Sequence, residues 1–215
     1  GIYQQSRIWV NGSEAGGRAY GYVPFQLDVT GLAAPGVSNT IAVRVDNETG
    51  QKARWYSGSG INRHVRLSFT SDIRIAAWGV RASTIALSAG FAEVDIEVAA
   101  SSSAPRLETA LLKSIVIAPD GRVAAEVTFA EQLGPGETRT VKQSVVLRSP
   151  EVWDPDRPIL YQLRCEVIVD GRVVDDYTTT FGIRQIEWHR DFGLLLNGRT
   201  TKLRGVCLHT DCGMT

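Results

Sequence analysis

The sequence lacks an excess of charge of either sign. Its 23 Lys and Arg residues are balanced by 23 Asp and Glu residues, so the formal net charge is zero. Proteins that bind nucleic acids or anionic membranes through electrostatics need a basic excess, so the balance argues against both classes of partner. Long hydrophobic runs are lacking too, and no stretch approaches the roughly 20 apolar residues of a membrane-spanning helix.

Cysteine is also scarce, with three residues in a chain of 215. An odd number in a chain of this length does not indicate a disulfide framework. Cys165 alternates with polar residues in a strand-like run and shares a strand face with Tyr161, Leu163 and Val167. This position predicts that it is a small core residue. Residues 207–212 place two thiols, an imidazole and a carboxylate close together, but zinc sites usually draw on two separated ligand pairs. We therefore predict no metal site and no cofactor.

What the sequence does contain is an alternation of apolar and polar residues with period two. Val94, Ile96 and Val98, for example, alternate with charged residues. This pattern predicts antiparallel strands with one buried and one solvated face. Tight-turn signals separate the strand-like runs. These signals are Asn11-Gly12, Pro119-Asp120-Gly121, Asp170-Gly171 and Asn197-Gly198.

The strand-like runs fall into three parts, with boundaries near Thr70-Ser71-Asp72 and near Gly182-Ile183. We therefore predict domains at residues 1–70, 71–182 and 183–215, the second with the strand spacing of a β-sandwich. The chain begins at Gly1 without an initiator Met and ends shortly after an apolar strand-like run. We expect a fragment of a longer polypeptide, so the sequence indicates no cellular compartment.

Four motifs, in order along the chain, resemble glycoside hydrolase family 2, the family of the large β-galactosidases and β-glucuronidases. Each motif is weak alone, but together they span the whole sequence. The sequences of residues 20–25 and 54–65 are more similar to those of the β-galactosidase-like members than to those of the glucuronidases. The motifs are residues 8–12 with 20–30 and 39–47, residues 54–65, residues 152–161, and residues 196–199 with 202–211.

The resemblance implies an all-β fold that leads into a barrel. Residues 1–70 are expected to be the C-terminal part of a jelly-roll, sugar-binding-like domain, and residues 71–182 an immunoglobulin-like β-sandwich. Residues 183–215 are expected to hold a linker and the first strand of a catalytic (β/α)8 barrel. The sequence departs from the family in lacking the front of the jelly roll and most of the barrel, and in having Thr210 where a second His is usual.

The activity that the resemblance implies is the retaining hydrolysis of terminal β-D-galactosides by the intact enzyme. That chemistry needs two carboxyl groups about 5 Å apart. The resemblance implies that both belong to Glu residues on later barrel strands, so we assign no catalytic residue here and expect the isolated chain to be inactive. The Asp and Glu residues present lie mainly on predicted solvated strand faces or in turns.

His209 and Asp211 are the predicted substrate-binding residues. They fall where a first barrel strand would end, at the face where barrel active sites are built. In the family, the His of this motif lines the sugar-binding subsite, and His209 matches it. A structural alternative is that both side chains cap a strand end and bond to nearby backbone.

The aromatic residues have a structural and a functional interpretation. Arg54-Trp55-Tyr56 is a candidate sugar platform, although packing between domains is the favoured role. Four tryptophans lie in or beside strand-like segments, which predicts core or interdomain positions more than ligand stacking. These are Trp9, Trp78, Trp153 and Trp188.

Two other functions remain open. One is a non-catalytic carbohydrate-binding module, for which jelly-roll and sandwich domains often serve; residues 203–211 argue against it, since such a module needs no barrel strand. The other is a β-glucuronidase or β-mannosidase of the same family. In every case the partner is a carbohydrate, without nucleic acid or membrane. Family members often form homo-oligomers, but no interface can be identified from this sequence.

Overall fold

The computed structural model describes residues 1–48 and 58–207, and every helix or strand it assigns there is a β-strand. The predicted all-β class is therefore confirmed. None of these residues forms a helix capable of crossing a lipid bilayer. The described residues form two compact units, one within Gly1–Ser68 together with residues 205–207, the other of Phe69–Arg204.

The second unit contains a sandwich of two antiparallel sheets. One sheet has three strands in the order β10-β7-β6, and the other has four in the order β12-β11-β8-β9. Their bounds are β6 Ile73–Leu87, β7 Phe91–Ser102, β8 Glu108–Ile117, β9 Val123–Leu133, β10 Thr138–Arg148, β11 Tyr161–Val169 and β12 Arg172–Phe181.

The core lies between these two sheets. Val94, Ile96 and Val98 on β7 are at most 1% exposed, as the period-two pattern predicted. They belong to one cluster with Leu112 and Val116 on β8 and further residues of both sheets. The cluster is continuous because alternate side chains of each sheet point at the other sheet, which is how aligned sandwiches are built.

Strand β9, the fourth strand of the sandwich in chain order, lies at the edge of the four-stranded sheet. β9 pairs with β8 in a nearly continuous antiparallel register from Glu108↔Leu133 to Ile117↔Val123. In the immunoglobulin constant-type arrangement the fourth strand joins the other sheet instead. Here the short hairpin turn explains the pairing, since Gly121 N–H donates to Ala118 O at 2.9 Å and returns the chain directly onto β8.

The predicted tight turns are present. Asn11, Asp170 and Asn197 have φ angles of 51°, 49° and 51°, and the Gly after each has a positive φ as well. Two successive positive φ angles define the type I′ turn, whose twist matches that of the flanking strands. The turn residues therefore define where these hairpins reverse.

One strand of the sandwich is interrupted. The pairing of β6 with β7 shifts register between Ile75 and Val80. At this bulge Trp78 has a φ of 54° and is 70% exposed. Of the two predicted positions, core or interdomain, the core is therefore excluded for Trp78, because the bulge turns its side chain away from the face that β6 buries.

The second unit continues into a small three-stranded antiparallel sheet. Its strands are β13 Ile186–His189, β14 Gly193–Leu196 and β15 Arg199–Thr200, in that order. Beyond it, residues 201–207 contain no strand. The described part of the predicted first barrel strand is thus not in a sheet, which is consistent with a strand that has no neighbour to pair with in these residues.

The first unit contains two small antiparallel sheets. The larger has the order β3-β2-β4, and the smaller pairs β1 with β5. Among its described residues the buried apolar side chains are Ile2, Ile8 and Val10. The strands are β1 Ile2–Tyr3, β2 Ser6–Val10, β3 Ser13–Arg18, β4 Ile41–Arg44 and β5 Gly60–Ile61.

Candidate functional site

The predicted substrate-binding residues, His209 and Asp211, lie outside the described residues. So do Arg54, Trp55 and Tyr56, the candidate sugar platform. What the structure does show is the segment that leads to residues 209 and 211 and the way it is anchored on the sandwich.

That anchor is centred on Asn197, in the turn between β14 and β15. Its backbone N–H donates to Gln185 O at 2.9 Å, and its Oδ1 accepts from Gln185 N–H at 2.9 Å. Its Nδ2 donates to Trp153 O at 3.0 Å. The turn of the small sheet is therefore hydrogen-bonded both to the chain that leaves the sandwich and to the loop that precedes β11.

The loop around Trp153 is itself closely packed. Trp153 N–H donates to Ile183 O at 2.9 Å, and the Arg184 guanidinium lies 5.0 Å from the centre of the indole ring. A Cβ atom built at Gly182 would lie 2.7 Å from Trp153 Cγ, so the ring rests on bare backbone. Asp154 holds the next turn, since its Oδ1 accepts from the N–H groups of Asp156 and Arg157.

The small sheet presents an exposed apolar surface. Ile186, Trp188 and Phe192 are 55%, 77% and 61% exposed. Of the two predicted positions, core or interdomain, the core is excluded for Trp188, because every residue of β13 is exposed. The His189 ring lies 4.7 Å from that of Phe192, and its Nδ1 accepts from Asp191 N–H at 3.1 Å. His189 is thus an exposed surface residue.

The first unit has a separate cluster of tyrosine rings. Tyr22 lies 5.0 Å from Tyr3 and 5.7 Å from Tyr20, measured between ring centres. A shallow open depression of about 580 Å³ is lined by residues near the end of this unit, including Arg63 and His64. These residues offer aromatic faces and cationic groups to solvent, and none of the described residues that line the depression carries a carboxylate.

The described carboxylates do not form a site for glycoside hydrolysis. Glu97 forms ion pairs with Lys142 and Arg81 on the outer face of the three-stranded sheet. A hydrogen bond from Arg122 lowers the pKa of Asp120, and hydrogen bonds from Gly134 N–H and Arg139 lower that of Glu137. A general acid requires the opposite shift, so neither group suits proton donation.

The cysteines behave differently from each other. Cys165 is 1% exposed and lies 3.7 Å from Ser114 Oγ, and burial raises the pKa of its thiol. It is the core residue that the alternation predicted. Cys207 is exposed. Within residues 1–48 and 58–207 no three His, Cys, Asp or Glu side chains converge as metal ligands, and the run that ends at Cys212 continues beyond the described part of the chain.

Sequence reasoning identified Asn197 as a turn residue and missed its side-chain bonds. The Asn-Gly pair was the available signal, but Gly, Asp and Asn all favour such turns, so the pair does not reveal what the side chain does. Trp153 belongs to a motif that was recognised, whereas its place beneath Arg184 depends on residues about 30 positions away.

Comparison with known proteins gives a consistent family. The profile described as glycosyl hydrolases family 2 matches residues 73–184. Beta-galactosidase BoGH2A of Bacteroides ovatus is 35% identical over 213 residues, which are 99% of this chain and 25% of that protein.

Solved structures are similar in fold. A glycosyl hydrolase family 2 member from Bacteroides cellulosilyticus has a TM-score of 0.92 and 33% identity, covering 97% of this chain and 28% of that one. Bacteroides uniformis beta-glucuronidase 2, covalently bound to cyclophellitol-6-carboxylate aziridine, has a TM-score of 0.86 and 26% identity, covering 98% and 26%. The chain spans about a quarter of the length of each of these proteins. With a profile match over more than half of its residues, the chain belongs to glycoside hydrolase family 2.

Proposed function

We propose that the protein containing this chain is a retaining glycoside hydrolase that releases terminal β-D-galactosyl residues. The observation that carries the proposal is the similarity to Beta-galactosidase BoGH2A along 99% of the chain, at 35% identity. Because the chain spans 25% of that relative, the activity belongs to the whole protein. In that protein the residues described here are scaffold, and they hold the catalytic barrel that follows.

The domain division supports this role. Residues 1–70 are proposed to be the C-terminal part of a jelly-roll domain, 71–182 an immunoglobulin-like sandwich, and 183–215 a linker with the first strand of a (β/α)8 barrel. The two-sheet sandwich of β6–β12 supports the second assignment. The hairpin at Asn197-Gly198 supports the third, since it ends the linker with a fixed reversal.

His209 and Asp211 are proposed to contact the sugar in this enzyme. An imidazole N–H donates to a sugar hydroxyl, and a carboxylate accepts from one. The two catalytic carboxyls lie outside residues 1–215 in this proposal. One attacks the anomeric carbon to form a glycosyl-enzyme, and the other protonates the leaving oxygen and then activates water. The B. uniformis glucuronidase is covalently bound to cyclophellitol-6-carboxylate aziridine, and a covalent bond of this kind is expected of an enzyme with such a nucleophile.

A β-glucuronidase is the second candidate, favoured by the similarity to the B. uniformis glucuronidase over 98% of the chain. A glucuronide carries a carboxylate at C6, which Arg or Lys side chains bind through charge-assisted hydrogen bonds. The substrate of a β-mannosidase differs from both in the orientation of its 2-hydroxyl group. The groups that discriminate these sugars belong to barrel loops beyond this chain.

Hydrolysis of matched chromogenic substrates tests the proposal in the full-length protein. We expect 4-nitrophenyl β-D-galactoside to be cleaved with a kcat/KM at least tenfold above those of the β-glucuronide and the β-mannoside. A preference for the glucuronide would replace the proposed substrate with the second candidate. Binding of galactosides without cleavage of any substrate would favour the non-catalytic carbohydrate-binding module.

Variants of the two proposed contacts refine the test. His209→Ala and Asp211→Asn are each expected to lower kcat/KM by about 10- to 100-fold, the effect of one lost substrate hydrogen bond of roughly 1.5–3 kcal/mol. Asp191→Asn, in the exposed turn before β14, is the control and should retain full activity. The 215-residue chain, verified by intact mass, should release no sugar, and measurable release would mean that catalytic carboxyls lie within it.

A further inference from the structure

Two Asn-Gly turns of this chain carry the same three hydrogen bonds. In the first unit, Asn11 N–H donates to Thr40 O at 2.9 Å, and Asn11 Oδ1 accepts from Thr40 N–H at 3.0 Å. Asn11 Nδ2 then donates to Leu32 O at 3.0 Å. Asn197 repeats this pattern with Gln185 and Trp153. The recurrence in two sheets of different context indicates that it is a property of Asn at this turn position.

The side-chain oxygen completes a rung of the sheet. β13 pairs with β14 up to Ile186↔Leu196, so Gln185 and Asn197 are the next pair along. Asn197 lies in the left-handed region with φ 51°, and it meets Gln185 through its own N–H and its side-chain Oδ1. The amide group therefore supplies the acceptor that a backbone carbonyl supplies in a regular antiparallel pair.

The remaining amide hydrogens reach a different part of the molecule. Trp153 O, which accepts from Asn197 Nδ2, lies 44 residues away in sequence. Trp153 is itself held by Ile183 O, by the bare backbone of Gly182 and by Arg184. We call Asn197, Trp153, Gly182, Arg184 and Gln185 the Asn197 clamp. It joins the end of the sandwich to the turn from which β15 leaves.

We propose that Asn197 is a positioning residue, whose side chain holds the turn between β14 and β15 on the sandwich and so fixes the point from which the chain toward His209 and Asp211 leaves the small sheet. This inference rests on the proposed function. Thr201 N–H donates to Leu194 O at 2.8 Å, so the hydrogen bonding between β14 and β15 extends one residue beyond Thr200. The predicted barrel strand begins directly after Thr201. His209 lies eight positions beyond Thr201. Misplacement of a substrate-binding group by about 1 Å is enough to lower a rate by about 100-fold.

Two substitutions separate the parts of the clamp. Asn197→Gly keeps the turn, because Gly adopts positive φ without strain, and removes both side-chain bonds. Asn197→Asp keeps an oxygen for Gln185 N–H but turns a carboxylate oxygen toward Trp153 O in place of a donor. Asp170→Gly is the matched control, since Asp170 occupies the same place in the type I′ turn between β11 and β12 and makes no side-chain hydrogen bond within the described residues.

The experiment combines hydrogen exchange and kinetics in the full-length enzyme. In Asn197→Gly we expect the Gln185 amide to exchange at least tenfold faster and kcat to fall at least tenfold. In Asn197→Asp we expect Gln185 to stay protected while kcat falls by a similar factor. Asp170→Gly should change neither quantity. Thermal unfolding of each variant establishes that it is folded at the assay temperature.

Each alternative result decides a separate part of the inference. Unchanged exchange at Gln185 in Asn197→Gly would disprove the clamp. Full activity in Asn197→Asp, or a loss that merely follows the unfolded fraction, would disprove the positioning role. If the wild-type enzyme cleaves no aryl glycoside, the proposed function fails and the positioning role falls with it, whereas exchange at Gln185 still decides whether the clamp exists.

Discussion

At the scale of single residues, the packing of the junction after the sandwich depends on a glycine, Gly182. Gly182 is buried, and a Cβ at this position would lie 2.7 Å from Trp153 Cγ and 2.8 Å from Trp153 Cβ. Real Cβ atoms do not approach so closely, so the indole would have to move. Its movement would disturb the contact with Arg184 as well as the carbonyl that accepts from Asn197.

We therefore expect Gly182→Ala to lower the free energy of unfolding by about 1–3 kcal/mol, the usual cost of overpacking a close contact. Urea unfolding followed by Trp fluorescence measures the change. Gly90→Ala is the control, because a Cβ at Gly90 has no atom within 4 Å. The control should stay within about 0.5 kcal/mol of the wild type. Equal stability of both variants would show that Trp153 can move without cost.

At the scale of strands, the two sheets are joined by side chains as well as by the core. Asp175 on β12 accepts through Oδ2 from Ile75 N–H on β6 at 2.8 Å, and Ser71 Oγ donates to Val174 O at 2.9 Å. Ile75 is the last residue of β6 that pairs with β7 before the bulge that contains Trp78. Asp175 therefore satisfies a backbone donor where the regular pairing of β6 with β7 ends.

Asp175→Ala should reduce stability by about 1–3 kcal/mol, because it leaves the half-buried N–H of Ile75 without this acceptor. Asp176→Ala on the same strand is the comparison variant. Asp176 pairs across the strands with Glu166, and removing one of two facing carboxylates is expected to be neutral or slightly stabilising. Denaturant midpoints of the two variants give the test. A loss in Asp176→Ala as large as that in Asp175→Ala would contradict the specific role of the Ile75 bond.

At the scale of the whole molecule, the two units differ in how much core they have. The second unit has nineteen buried residues in one cluster. The described part of the first unit buries three apolar side chains and exposes others, among them Val65 and Leu67 at 71% and 61%. The surface that these described residues bury is too small to repay the conformational entropy of ordering the segment 1–68.

A polypeptide of residues 69–204 is therefore expected to fold by itself, with one cooperative thermal transition and a far-UV spectrum of β-structure. A polypeptide of residues 1–68 should show no cooperative transition and should bind a hydrophobic dye such as ANS. Calorimetry and circular dichroism distinguish these outcomes. A cooperative transition in residues 1–68, or its absence in residues 69–204, would contradict this division of stability.

Part of the fold could be predicted because the relevant signals are local. The alternation at residues 93–98 identified a strand with one buried face, and the alternation around Cys165 placed this residue in the core. The Asn-Gly and Asp-Gly pairs identified hairpins, since positive φ is a property of the turn residues themselves. Trp78 and Trp188 are not in the core, because apolar character does not reveal a bulge or an uncovered strand, and the interdomain alternative stays a prediction. His209 and Asp211 remain predictions.

The sequence by itself determined the all-β class, the positions of the turns and, through its motifs, membership of a glycosidase family. Each depends on residues close together in the chain. Tertiary structure alone decided that Asp175 accepts from Ile75 and that Asn197 donates to Trp153. These two bonds span 100 and 44 residues, and a side chain finds such a partner only after the sheets have packed.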